Sequence, residues 1–162
     1  MQLYNTLSAE ERAKLIDQAG QRLTLSFYAY AKIENPTQFR NDLFLKWNKL
    51  DALGRIYVAT EGINAQMSVP AENIDAFRET LEKYDFMKGI RLNIAVEHDD
   101  HSFLKLTIKV RNKIVADGLN DETFDVTNKG VHLNAREFNA ILDDPNTIVV
   151  DFRNHYESEV GH

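Results

Sequence analysis

The sequence contains no cysteine, only 3 prolines and 7 glycines, and an acidic rather than a basic net charge of −6 over 162 residues. Without cysteine these residues hold no disulfide, no thiolate zinc site, no iron–sulfur cluster and no thiol nucleophile. Scarce proline and glycine leave no room for a long flexible linker. No apolar run approaches the roughly 20 residues of a membrane span, and the N-terminus lacks a basic-then-apolar signal pattern. The expectation is a soluble cytoplasmic protein without membrane contact. Positive charge is scarce and uneven. Residues 1–110 carry 14 Lys/Arg against 15 Asp/Glu, and residues 111–162 carry 5 against 10. Net charge therefore lends nothing to nucleic-acid binding, which has to rest on local arrangement. At 43% hydrophobic and 27% charged residues the composition is ordinary, which excludes disorder and fibrous repeats.

Periodicity supplies the elements. Ser8 and Glu11 form a capping box for a short helix, with Gly20 suited to its left-handed stop. Thr24 to Tyr30 alternates, with Leu23, Leu25, Phe27 and Ala29 inward and Tyr28 and Tyr30 outward. Asn35-Pro36 opens a helix whose stripe of Phe39, Leu43, Phe44, Trp47 and Leu50 is core. Gly54 to Ala59 and Asn64 to Val69 read as strands joined at Thr60-Glu61-Gly62-Ile63, where Gly62 is free to take positive φ. Pro70 begins a second helix, buried along Ile74, Phe77, Leu81 and Tyr84. Arg91 to Glu97 is a fourth strand with Leu92, Ile94 and Val96 inward. Phe103 to Val110 is an extra strand with Leu104, Leu106, Ile108 and Val110 inward.

This order is the split βαβ, or ferredoxin-like, α+β arrangement: two helices cover one face of an antiparallel sheet and leave the other open. The helix over residues 1–20 precedes this domain at 21–110. An acidic connector fills 111–130, and a further α/β start occupies 131–162. There Asn134 and Glu137 cap a helix with Phe138, Ile141 and Leu142 on its apolar side. Ile148-Val149-Val150 reads as a doubly buried strand. Being incomplete, this helix and strand are expected to bury Phe138, Ile141 and Ile148 to Val150 against the first domain or a second copy, as in a dimer.

The open sheet face gathers Tyr28, Tyr30, Arg55, Tyr57, Gln66, Ser68, Arg91, Asn93, Phe103, Lys105, Thr107 and Lys109, with Arg111 and Lys113 continuing the basic run. Aromatic rings beside cations suit single-stranded RNA: rings stack on bases, and Lys/Arg neutralise phosphate. The same residues also suit a plain solvated sheet face, because tyrosine favours strands and lysine solubilises them. The pattern departs from the usual RNA-recognition motif, since Gln66 and Ser68 stand where aromatics are expected. An acylphosphatase needs glycine and arginine in the loop after the first strand, and Ala31 to Pro36 has neither. His98-Asp99-Asp100-His101 reads as a solvated turn rather than a metal site. Asp151, Arg153 and Glu157 follow an apolar strand and read as a loop-bracing ion-pair network.

Asp151-x-Arg153, Glu157 and Gly161-His162 resemble the entry of a rhodanese domain. Together with Ala59-Thr60-Glu61-Gly62-Ile63-Asn64-Ala65 and Lys113 to Gly118, they make the chain similar to the bacterial tRNA uridine hydroxylases along essentially its whole length. That resemblance implies an N-terminal acylphosphatase-like domain, a rhodanese domain and oxygen-dependent conversion of the wobble uridine to 5-hydroxyuridine. Molecular oxygen is then the co-substrate, and the tRNA anticodon arm and the rest of the rhodanese domain are the partners. It also implies a reactive cysteine beyond His162, so the chain is expected to be an inactive N-terminal piece without a catalytic residue, metal or bound cofactor. Asp151, Arg153, Glu157, Gly161 and His162 keep a structural role. Glu61, Gly62 and Asn64 serve either a hairpin that needs its glycine or a tip that touches tRNA or the partner domain. A rhodanese-type sulfurtransferase and a non-catalytic scaffolding or dimerisation domain are the alternatives.

Overall fold

The computed structural model describes residues 7–18, 20–95, 102–114, 125, 128 and 130–151. They fall into two compact units, Met1–Thr127 and Asn128–His162.

The first unit begins with α1, Ala9–Gln18. The Ser8 N–H donates to the Glu11 carboxylate at 2.9 Å, and the Glu11 N–H donates to the Ser8 hydroxyl at 3.2 Å, which completes the expected capping box. Gly20 follows Ala19, which lies outside the described residues. The strands are β1 (Arg22–Tyr30), β2 (Leu53–Ala59), β3 (Gly62–Pro70), β4 (Asn93–Ile94) and β5 (Leu106–Val110). α2 (Pro36–Asn48) joins β1 to β2, and α3 (Ile74–Leu81) follows β3. The Asn35 side chain caps α2 by accepting the Gln38 N–H at 2.9 Å, with proline at the first turn where a missing N–H costs nothing.

Alternation places Leu25, Phe27, Ile56, Val58, Ile63, Ala65, Met67 and Val69 on one sheet face. There they pack against Leu43, Phe44 and Trp47 of α2 and Phe77 and Leu81 of α3 in a single apolar core. Phe27, Trp47 and Phe77 meet at its centre, with ring centroids 5.4–6.3 Å apart. The strand order β4-β1-β3-β2-β5 is that of a ferredoxin-like sheet with one added edge.

Three expectations about the edges are corrected. The sheet is mixed, because β5 returns from the far side and pairs parallel with β2. β4 is two residues long at the edge of the sheet, and Ile94 is exposed there. β5 begins at Leu106 rather than Phe103, so only Leu106 and Ile108 reach the core while Leu104 and Val110 are exposed. Val96 to His101 lie outside the described residues. Ile114, four positions past β5 in what reads as a connector, is buried at 3% exposure.

In the second unit α4, Ala135–Leu142, starts at the expected capping box of Asn134 and Glu137. Ile148 to Val150 is not a strand. Phe138, Ile141, Ile148, Val149 and Val150 are between 42% and 87% exposed in the single chain. Among the described residues no helix is long and apolar enough to cross a membrane.

Candidate nucleic-acid interface

Neither α2 nor α3 packs on the second sheet face, and register fixes what that face presents. Ser26 pairs with Gln66, Gln66 with Arg55, and Arg55 with Thr107. One row further, Tyr28 pairs with Asn64, Asn64 with Tyr57, and Tyr57 with Lys109. These two transverse rows contain no acidic residue. A strand spacing of about 4.8 Å puts Tyr28 and Tyr57 about 10 Å apart across Asn64.

Both ends of the face are closed. At one end Arg22 is buried at 3% exposure. Its guanidinium donates to the Ser68 hydroxyl at 2.8 Å and to the carbonyls of Asp51 and Ser68 at 2.6 and 3.0 Å. Ser68, expected on the open face, is therefore buried beneath it. α1 stands at this end, where Arg12, Leu15 and Ile16 line a cleft of about 460 Å³ with Arg22, Leu53 and Pro70. At the other end the chain leaving β5 returns to the β2–β3 hairpin. The Ile114 N–H donates to the Glu61 carboxylate at 2.8 Å, and the Asn64 amide donates to the Ile114 carbonyl at 3.3 Å.

Between these ends lie the expected site residues. Tyr28 is 58% exposed, and Tyr30 meets it edge-on at 6.0 Å between centroids. Arg55, Lys105, Lys109 and Arg111 are exposed along the β2–β5 side, and the Arg111 guanidinium lies 5.5 Å from the centre of the half-buried Tyr57 ring. Arg91 is exposed two residues before β4. The face is thus aromatic toward β1 and basic toward β5. Rings on one side and cations on the other match a single strand whose bases and phosphates point in opposite directions.

Glu61, Gly62 and Asn64 each have a structural partner here. Gly62 sits at φ +144°, where an added Cβ would stand 2.1 Å from the Ala29 carbonyl oxygen. Sequence reasoning missed that Glu61 and Asn64 both hold Ile114. No local signal reveals that contact, because it joins positions 53 and 50 residues apart. Asp151 is exposed, whereas Arg153, Glu157, Gly161 and His162 lie outside the described residues.

A second polar cluster lies on the helical side. Tyr84 donates its hydroxyl proton to Asp42, and the Lys46 ammonium donates to Asp42 at 2.6 Å and to Tyr84 at 2.9 Å. Burial and the Asp42 hydrogen bond push the Tyr84 phenol up to about 12. For Asp42 burial acts upward, but the hydrogen bonds from Lys46 and Tyr84 outweigh it and hold the carboxyl below its ordinary value. The Tyr84 ring meets Phe39 edge to face and lies tilted against Phe86, so the group reads as a brace between α2 and the turn after α3. Among the described residues no group of three or more His, Asp or Glu side chains is placed to hold a metal ion.

Residues 22–114 match the UPF0176 acylphosphatase like domain. The chain is 54% identical over 151 residues to a tRNA uridine(34) hydroxylase of Leptospira interrogans serogroup Icterohaemorrhagiae serovar Lai, covering 93% of this chain and 41% of that protein. It is 49% identical over 162 residues to proteins of the same name from Salmonella heidelberg and Salmonella typhimurium, covering 99% of this chain and 46% of each. The chain spans less than half the length of these curated relatives.

Proposed function

The chain belongs to the family of the UPF0176 acylphosphatase like domain, and on that premise we propose that it is the RNA-holding part of a tRNA uridine hydroxylase. The reaction would be oxygen-dependent conversion of a wobble uridine to 5-hydroxyuridine, with molecular oxygen as co-substrate and the anticodon arm as the RNA bound. The names of the relatives support the activity. The single observation that supports the role of this part is the row Tyr28–Asn64–Tyr57–Lys109, which holds no acidic residue and lies on the sheet face opposite α2 and α3.

The physical division of labour follows from that row. The exposed Tyr28 ring offers a stacking surface that any base can use. Lys105, Lys109 and Arg111 supply sequence-independent attraction to phosphate. Gln66, between the aromatic and basic sides, presents an amide able to donate to and accept from a base edge. The test replaces Tyr28, Tyr57 and Lys109 together in the intact protein and measures affinity for an anticodon stem-loop RNA. The reading expects a loss of two orders of magnitude or more, from about 1–3 kcal/mol per stacked base plus one phosphate contact. Unchanged affinity with an intact fold rejects it.

A further inference from the structure

We infer that Glu61 is a positioning residue for RNA: it anchors the turn after β5 so that Arg111 is held over Tyr57 at the basic side of the face. The inference rests on the RNA reading above and goes further by assigning a role to a carboxylate that bears the wrong charge to touch RNA.

Arg111 extends the β5 ladder by one bond, its N–H donating to the Val58 carbonyl at 2.8 Å. Three residues later, both backbone polar groups of Ile114 are taken by hairpin side chains, the N–H by Glu61 and the carbonyl by Asn64. The Ile114 side chain is buried. Residues 111–114 are therefore tied at both ends, and the Arg111 guanidinium rests 5.5 Å from the Tyr57 ring centre, within cation–π range. An arginine held on an aromatic ring has already lost much of the rotamer freedom that phosphate binding or base stacking would otherwise remove. This arrangement also explains why Tyr57 differs from Tyr28. Tyr28 presents an exposed ring, whereas Tyr57 is half-buried and serves as the seat of Arg111.

Simple electrostatics and positioning predict opposite signs. If Glu61 only adds negative charge beside a basic face, removing it tightens RNA binding. If it positions Arg111, removing its acceptor weakens binding. The decisive experiment measures affinity of the intact protein for an anticodon stem-loop RNA across a salt series, with Glu61→Gln, Glu61→Asp and Glu61→Ala. Gln keeps an acceptor for the Ile114 N–H and is expected to bind at least as well as the wild type. Asp keeps the charge but is one methylene too short, and Ala keeps neither, so both are expected to weaken binding by about three- to tenfold. Both should also flatten the plot of log affinity against log salt by about 0.7, one phosphate contact. In an Arg111→Gln background, Asp and Ala should have no further effect. Fluorescence of the buried Trp47 reports whether each variant is folded, and Asp serves as the mild variant if Ala is not. Wild-type affinity and slope in Glu61→Asp overturn the inference, as does tighter binding by a folded Glu61→Ala. Absence of RNA binding by the wild type overturns instead the RNA reading on which the inference stands.

Discussion

The indole N–H of Trp47 donates to the hydroxyl of Thr80 at 2.9 Å, a buried polar bond between α2 and α3. Thr80 in turn donates to the Phe77 carbonyl at 2.7 Å, so its hydroxyl has both a donor and an acceptor partner. Trp47 has no exposed surface, and no water can replace the bond without opening the core. Thr80→Val keeps the shape and strands the indole N–H, which should cost about 1–3 kcal/mol. Thr80→Ser should recover most of that loss. Urea unfolding of the two variants checks the pair, and an unchanged midpoint for valine contradicts it.

Gly62 should tolerate no side chain. Its φ of +144° is a conformation L-residues rarely adopt, and a Cβ would meet the Ala29 carbonyl oxygen, a backbone atom that cannot rotate away. Gly62→Ala should therefore destabilise the chain by about 3 kcal/mol or more. The damage should centre on the pairings Tyr30–Gly62 and Ala59–Gly62. Amide hydrogen exchange at Ala31 and Ile33, which donate to the hairpin carbonyls of Glu61 and Thr60, should accelerate first.

The brace of Asp42, Lys46 and Tyr84 predicts a specific loss of stability in alkali. A phenol raised from 10.0 to about 12 contributes stability that is complete below pH 10 and disappears as pH rises through about 12. Asp42, held below its ordinary value of 3.8, contributes in the opposite sense: its share is present above that pH and is lost on acidification below it. Tyr84→Phe should flatten the alkaline limb of a stability–pH curve. An alkaline limb identical to the wild type's would show that the phenol titrates elsewhere.

On the open face, stacking and charge should separate experimentally. Tyr28→Ala should weaken RNA binding by about 1–3 kcal/mol without altering its salt dependence. Lys109→Gln should weaken it less at moderate salt and reduce the salt slope by about 0.7. Fluorescence anisotropy over a salt series distinguishes the two, and a slope insensitive to Lys109 removes that residue from the phosphate path.

Local periodicity and capping were enough to read four helices and the alternating faces of β1 to β3, and hence the ferredoxin-like order of elements, although Pro70, expected to begin a helix, ends β3 and α3 starts at Ile74. Each depends on neighbours within one or two turns or along one strand, as at Ser8 with Glu11 and Asn134 with Glu137. The candidate RNA residues were legible for the same reason, because outward parity along a strand is a property of that strand. Alternation could not tell how long an edge strand lasts. Pairing that continues depends on a partner, so β4 stops after two residues and β5 begins at Leu106. Nor could it show that Ser68 lies under Arg22, that β5 runs parallel to β2, or that Glu61 and Asn64 hold Ile114. Those facts are set by hydrogen bonds and contacts between segments far apart in the chain. The amino-acid sequence by itself determined which side chains face away from the core. Only the tertiary structure decided, through register, that Tyr28, Asn64, Tyr57 and Lys109 form one line, and that a glutamate holds the basic end of that face in place.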